Sequence, residues 1–426
     1  MTVAHPDRLV ALRRELHRHP EPAWREFYTA ARIVEELERI GVDELYVGPD
    51  AIDAERRTGL PEDAEAFDRW AERAKAAGAS SDIVDRLSGG MTGIVAVLDR
   101  GEGPHVGLRV DIDALFREES QADDHRPAAA GFRSENDGLM HACGHDGHIA
   151  IGIGVIEAIA GSDFSGRLTV GFQPAEEVAG GGQALAKSGH FDDVEYLLAL
   201  HLGLGHPTGT IVSGFDEFLA VTHIDARFIG RGAHAGAQPE AGRNAIHALA
   251  IAVKNLYGIT RHSDGLTRVN VGKIGGGSAG NIIAEEAWFE GEVRGGTTAL
   301  RDFMKQRAET IIMAAGEMYG CDVEFSFGPE APGASSDEAL AGIVADAAKG
   351  VTGVEEVKPI SSFRASEDAT FLMEHVQDRG GLATYVGIGT DTVGGHHTAT
   401  FDVDEASLEI GVEVIRDAIL ALGDEP

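Results

Sequence analysis

Hydrophobic positions along the chain follow two rhythms. Helical spacing of apolar residues over 8–18 and 29–40 predicts two amphipathic helices. Short apolar runs at 94–99 (IVAVLD), 106–111 (VGLRVD), 168–173 (LTVGFQ), 196–201 (YLLALH) and 383–388 (ATYVGI) predict buried strands with helices between them. Strands that are apolar on both sides belong to a largely parallel sheet covered on both faces, so the class is α/β. Residues 50–90 break this pattern. They are charged and Ala-rich (PEDAEAFDRWAERAKAAG) and read as a helical insertion over the first part of the sheet.

The second rhythm runs from 218 to 330. A strand at 220–229, a helix at 241–257, strands at 267–274 and 285–294, a helix at 298–319 and a strand at 321–327 give the ferredoxin-like order β-α-β-β-α-β. Alternation of the first kind resumes after about residue 333. Residues 218–330 are therefore expected to be a second domain inserted into a first one built from 1–217 and 331–426.

Composition narrows the picture. A chain of 426 residues with 43% hydrophobic content is long enough for two cores. No stretch reaches the roughly 18 uninterrupted apolar residues of a membrane span. The opening MTVAHPDRLVALRRELHRHP lacks the apolar core of a signal peptide, so the cytoplasm is the expected location and no membrane partner is expected. The two cysteines, Cys143 and Cys321, cannot build a disulfide framework. A formal charge of −34 repels a phosphate backbone and excludes nucleic acid as a partner. Scarce lysine and abundant acid suit a protein working in a salty cytosol, where self-repulsion is screened.

The chemistry sits at predicted strand ends. Asp111 closes one strand, Glu176 and Glu177 follow another, and His201 closes a third. In such sheets ligands bind at the carboxyl ends of strands. Taken singly, His201 is an ordinary core histidine and the Glu176–Glu177 pair a solvated face. GLMHACGHDGH (138–148) adds Cys143 and His145 at a spacing that lets a thiolate and an imidazole reach one ion. Together these residues predict a metal site, with Asp113, Asp146 and His148 as outer neighbours. His234, in GRGAHAG, reads as a turn residue when taken alone. Gly275–Gly277 is a loop device, since no P-loop lysine follows. HRHPEP (17–22) is read as closing the first helix, with Pro20 stopping it, and receives no catalytic role.

The motifs MHACGHDGH, QPAEE, ALH, GRGAHAG, GGSAGNIIAEEA, GEVRG and HHTATFD occur in the order found in a family. The chain resembles, over nearly its whole length, the metal-dependent amidohydrolases and peptidases related to aminoacylase, hippurate hydrolase, auxin-conjugate hydrolase and carboxypeptidase G. RVDIDAL, DDHRPAAAGF and the helical insertion look most like the branch of A-type aminobenzoyl-glutamate hydrolase subunits. The resemblance implies a catalytic domain carrying a lid or dimerisation domain. It implies two divalent ions, Zn²⁺ or Mn²⁺, on Cys143, His145, Glu177, His201 and His397, with Glu176 as general base. His396 would be only a neighbour of the ligand His397. Asp111 would orient a ligand histidine, in a strand reading Arg109-Val110-Asp111 where the wider clan has His-x-Asp. His234 would stabilise the oxyanion, reaching the site of a partner protomer, with Asn281 binding substrate and Arg294 its carboxylate. The implied activity is hydrolysis of an N-acyl amino acid, p-aminobenzoyl-glutamate first, by a homodimer or by a heteromer with a related subunit. An aminoacylase, hippurate-type or auxin-conjugate-type enzyme is the runner-up. A non-catalytic, metal-stabilised binding subunit is the alternative of another class.

Overall fold

The computed structural model describes residues 6–423 and divides into two compact units. Unit one comprises the chain up to Asp216, Ser335–Phe363 and the chain from Asp368 onward; unit two is Glu217–Ala334 with Arg364–Glu367. The short return at 364–367 has no signature in the hydrophobic pattern.

Unit one is built on an eight-stranded sheet of β1 (Glu44–Val47), β2 (Ile94–Asp99), β3 (His105–Asp111), β4 (Arg167–Gln173), β5 (Tyr196–Leu202), β6 (Thr210–Val212), β7 (Glu356–Lys358) and β8 (Leu382–Ile388). The spatial order is β1-β2-β4-β3-β5-β8-β6-β7. The centre, β4-β3-β5-β8, is parallel throughout. On one side β2 joins it antiparallel and β1 lies antiparallel to β2, and on the other β6 joins β8 antiparallel. The sheet is thus mixed at its edges and parallel where the sequence reads as continuously apolar. Every residue of β3 is buried, as a strand covered on both faces requires. The outer strands β1 and β7 and the strand next to β7, β6, have three or four residues each, too few to show a period.

Helix His145–Ala160 is buried almost all round, packed on β3 among helices Pro6–Arg18, Phe27–Ile40 and Ala406–Gly423. Gly152 lets it lie close: a Cβ there would stand 2.8 Å from Val110 Cγ2. That close seat fixes the N-terminal turn, which begins at His145, over the carboxyl end of the sheet. Within the insertion, helix Glu65–Ala76 buries only Ala66 and Ala74.

HRHPEP closes the first helix as expected and has a second structural role. Helix Pro6–Arg18 ends within it, two residues ahead of Pro20, and Glu21 serves the next helix by accepting the backbone N–H groups of Tyr28 and Thr29, both at 2.9 Å. His17 is fully buried, between Asp146 Oδ2 at 2.7 Å and Glu119 Oε1 at 3.1 Å.

Unit two is a four-stranded antiparallel sheet in the order Thr267–Gly276, Glu286–Gly295, Ala220–Ile229, Asp322–Ala331. Helices Ala245–Leu256 and Thr298–Tyr319 supply the other half of its core, where Ala248, Met304 and Ile312 join Ile224, Phe228 and Phe289. Strand 220–229 alternates buried and exposed residues from Thr222 onward, as a sheet with one covered face demands. Connectivity and order are those of a ferredoxin-like fold. Among the described residues no helix is long and apolar enough to cross a membrane.

Candidate metal centre

Three neighbouring parallel strands and one loop bring the polar residues of unit one together. β3 ends at Asp111, β4 runs into the turn bearing Glu176 and Glu177, His201 lies near the end of β5, and the 138–144 loop delivers Cys143 just before His145 opens its helix. The ligand atoms of Cys143, His145 and Glu177 all lie within 4.8 Å of one another. Cys143 Sγ is 3.5 Å from His201 Nε2. His145 Nε2 is 3.9 Å from both Glu176 Oε2 and Glu177 Oε1, and His397 Nε2 is 3.6 Å from Glu177 Oε2. Cys143, His145, Glu176, Glu177, His201 and His397 therefore form one cluster.

Hydrogen bonds decide which ring nitrogens face it as lone pairs. His145 Nδ1 is 2.9 Å from the Asp113 carbonyl and His201 Nδ1 is 2.8 Å from the Leu202 carbonyl. A carbonyl only accepts, so each Nδ1 carries a proton, and in the neutral ring it is Nε2 that presents a lone pair inward, the arrangement of a metal-ligating histidine. His145 is buried and its Nε2 makes no hydrogen bond. A cation fits that orphaned acceptor.

The same reasoning separates His396 from His397. His396 Nδ1 is 3.8 Å from Cys143 Sγ and looks like a third ligand beside His201. Its Nε2, however, accepts the Leu204 N–H at 3.3 Å, so the proton sits on Nδ1 and points at the sulfur. His396 is arranged as a donor to a thiolate. His397 adopts a left-handed backbone (φ 63°), and its N–H donates to the Ala142 carbonyl at 2.8 Å. That bond fastens the 390s loop to the loop that carries Cys143.

Asp111 takes a partner other than the expected ligand histidine. Its Oδ1 is 2.6 Å from His148 Nδ1 but 3.7 Å from His145 Nε2. His148 Nε2 accepts the Leu202 N–H at 2.9 Å, so both its nitrogens are engaged. Asp111 thus ties the end of β3 to the end of β5 through His148, while the Asp113 carbonyl orients His145. Beneath them the fully buried Arg109 guanidinium bonds Asp111 Oδ2 at 2.7 Å, Gln173 Oε1 at 2.9 Å and Asp368 Oδ1 at 3.2 Å. In the sequence Arg109 stands out only as a departure from His-x-Asp. In the fold it is the counter-charge that keeps buried carboxylates paired.

The electrostatics suit a cation. Burial, and then the Glu177 carboxylate, push the Cys143 thiol up to about 12, so a thiolate here calls for compensating positive charge. Burial, with His148 and His396 adding to it, holds His201 well below the usual imidazole range and keeps its lone pair available. Burial opposes ionisation of Asp111, but His145, His148 and Arg109 hold it well below the usual carboxylate range.

A model of the peptidase family M20/M25/M40 matches residues 107–421. The chain belongs to this family. It is 42% identical over 410 residues to the indole-3-acetyl-aspartic acid hydrolase of Enterobacter agglomerans, covering 95% of this chain and 93% of that protein. To the A-type p-aminobenzoyl-glutamate hydrolase subunit of Escherichia coli K12 it is 42% identical over 413 residues, covering 96% and 94%. The crystal structure of an aminobenzoyl-glutamate utilization protein from Klebsiella pneumoniae superposes with a TM-score of 0.80 at 35% identity, covering 97% of this chain and 95% of that one. The chain is accordingly a metal-dependent amide hydrolase of the M20/M25/M40 family.

In this M20 peptidase the remaining predicted residues lie in unit two. His234 sits on a two-stranded ribbon, Ala233–His234 against Ile282–Ile283, in which Ile282 pairs with His234. Asn281 is the residue before that pair, and its carbonyl accepts the Ala235 N–H at 3.0 Å. The ribbon thus places His234 and Asn281 side by side. His234 Nδ1 accepts the N–H groups of Gly236 and Ala237, both at 3.1 Å, so the ring proton is on Nε2, exposed and fixed as a donor. Arg294 is differently occupied. Its Nε and Nη2 bond the two carboxylate oxygens of Glu292 at 2.9 Å each, and its Nη1 bonds Ser366 Oγ at 3.0 Å. The bidentate edge expected for a substrate carboxylate is held by a neighbour two residues away on the same strand.

Proposed function

We propose that the chain hydrolyses the amide of an N-acyl amino acid with a free carboxylate, p-aminobenzoyl-glutamate first among them. The observation that carries this reading is the pair of inward Nε2 lone pairs on His145 and His201, beside Cys143, Glu177 and the carboxylate of Glu176. The names of the relatives, with glutamate or aspartate on the amine side of the bond, support an acidic amino acid as leaving group.

Cys143, His145, Glu177, His201 and His397 would hold two divalent ions, Zn²⁺ or Mn²⁺. Bound there, such ions lower the pKa of water toward about 7 and polarise a carbonyl. Glu176 takes a proton from the attacking water and returns it to the leaving amine as the C–N bond breaks, giving a carboxylate and a free amino acid. The Nε2–H of His234, supplied by a second copy of the chain in a dimer, donates to the oxyanion. Asn281 contacts substrate, and Arg294 takes the substrate carboxylate by exchanging Glu292 for it. A heteromer with a related subunit is the alternative assembly, and the acidic surface suits a cytoplasm rich in salt.

The test is an assay of the purified chain in molar salt with Mn²⁺ or Zn²⁺ on p-aminobenzoyl-glutamate, indole-3-acetyl-aspartate, hippurate and N-acetyl amino acids. Metal-dependent release of p-aminobenzoate, faster than cleavage of the others, is expected. Preference for hippurate or N-acetyl amino acids moves the enzyme to the aminoacylase type, and no cleavage of any points to a missing partner or a binding subunit.

The two neighbouring histidines give a second expected outcome. His397→Ala lowers bound metal and kcat by about a hundredfold or more, since a ligand is gone. His396→Ala keeps its metal and loses less than about tenfold in kcat, the scale of one lost hydrogen bond to a charged sulfur. Metal analysis of both variants decides, and a metal-depleted His396→Ala beside a metal-replete His397→Ala reverses the assignment.

A further inference from the structure

The turn that carries the proposed base is held from outside by buried carboxyl groups. Ala175 and Ala179 both adopt left-handed backbone conformations (φ 57° and 50°), and the turn closes on itself through Ala179 N–H to the Glu176 carbonyl at 2.8 Å and Gly180 N–H to the Ala175 carbonyl at 2.9 Å. The N–H groups of residues 175, 176 and 177 are left facing one side. Asp113 accepts two of them, Glu176 N–H on Oδ1 and Glu177 N–H on Oδ2, each at 3.1 Å. Glu26 accepts the third, from Ala175, on Oε1 at 2.9 Å. Further along, Asp368 Oδ2 accepts the N–H groups of Gly181 and Gly182 at 3.2 and 2.8 Å.

Successive N–H groups around a left-handed residue form a concavity that binds anions. Here the concavity is filled by the protein's own side chains, so the Glu176 and Glu177 side chains must leave the turn on the opposite side, toward His145. Glu26 is the remote member of the set. It stands just ahead of helix Phe27–Ile40, is 0% exposed, and is itself held by the Thr92 hydroxyl, which lies 2.6 Å from Oε2.

We propose that Glu26 is a positioning residue for the reaction, fixing the direction of the Glu176 side chain by holding the Ala175 N–H. The inference rests on Glu176 being the base. Glu176 Oε2 lies 3.9 Å from His145 Nε2, so a shift of the turn that carries it moves the carboxylate relative to the cluster. Burial, and then the charge of Asp113, push Glu26 up to about 8, which makes the neutral acid the main form at neutral pH and glutamine its isostere. In Glu26→Gln the new amide would present its carbonyl to Ala175 and an N–H to Thr92 Oγ1.

The experiment compares Glu26→Met, Glu26→Gln and Glu176→Gln as metal-loaded full-length enzymes, on whichever of the assayed substrates the wild type cleaves fastest. Glu26→Met keeps the side-chain volume and removes the acceptor. It is expected to lower kcat about a hundredfold with KM within about threefold, the loss that a base misplaced by about 1 Å produces. Bound metal stays at the wild-type level. Glu26→Gln restores kcat to within about threefold of wild type, a rescue that a generic packing role would not require. A Glu26→Met enzyme with wild-type kcat overturns the proposal, as does a Glu26→Gln enzyme as slow as Glu26→Met. If Glu26→Met does not fold, Thr92→Val takes its place: a kcat loss of about fivefold at unchanged KM supports the proposal and an unchanged kcat overturns it. Glu176→Gln separates the two ideas. An active Glu176→Gln removes the base itself, whereas an inactive one beside a fully active Glu26→Met removes only the positioning role.

Discussion

Glu176→Gln is expected to keep its metal complement and lose about three to four orders of magnitude in kcat. Glutamine has the shape of glutamate but cannot take a proton from water at neutral pH, and a general base contributes on this scale. The backbone of residue 176 is held through its N–H by Asp113, a contact indifferent to the side chain, so the turn keeps its form. The neighbouring carboxylate of Glu177, with Cys143 and His145 inside a 4.8 Å cluster, is left in place to ligate. Elemental analysis and steady-state kinetics on the same preparation read both halves of the expectation. A variant within tenfold of wild-type kcat would remove Glu176 as the base, and one that has lost its metal would make it a ligand.

The parts of this fold that are legible in the sequence are those whose burial is simplest. β2, β3, β4, β5 and β8 read as apolar runs because they are covered on both faces, and each begins or ends within one residue of the expected bounds. The strand at 220–229 and the helix at 298–319 match in full, since one-sided burial writes a period of two or of 3.6 residues into the chain. β1, β6 and β7 are not legible. They are short strands at or next to the sheet's edges, and their partners, not their own residues, decide that they pair.

The proposed centre follows the same division. Cys143, His145, Glu177 and His201 stand out because cysteine, histidine and carboxylate at strand ends are rare coincidences. Which nitrogen faces inward is not in the sequence, since it depends on backbone carbonyls at Asp113 and Leu202 that any residue type supplies. Glu26 escapes notice for a related reason: a glutamate before an amphipathic helix reads as solvated, and nothing local says that its partner is 149 positions away at Ala175. Arg294 is a case of another kind: an arginine fit for a carboxylate already holds one, two residues back on its own strand, a pairing that its sequence neighbours do not announce.

Removal of the sulfur at Cys143 is the other change with a large expected effect. Cys143 Sγ is the atom that His201 Nε2 approaches on one side, while His145 and Glu177 complete a triad with it on the other. Its thiol is pushed up to about 12 by burial and by Glu177, so the thiolate and a bound cation stabilise each other, and losing either partner weakens the other's hold. Cys143→Ala therefore leaves Glu177 facing the imidazoles without the donor common to both sides. Bound metal should fall and kcat should drop about a thousandfold or more, the equivalent of several kcal/mol of lost transition-state stabilisation. Cys143→Ser is expected to fall almost as far, because a hydroxyl holds its proton more tightly than a thiol in the same pocket. Cys321, the other cysteine, lies in the core of unit two, and Cys321→Ser serves as the control that keeps both metal and turnover. In the wild type, chelation should abolish activity and added Zn²⁺ or Mn²⁺ should restore it, whereas Cys143→Ala should not recover at the same ion concentration. A Cys143→Ala enzyme with full metal content and wild-type turnover would mean that the imidazoles and carboxylates suffice, and the sulfur would then be a spectator in the cluster.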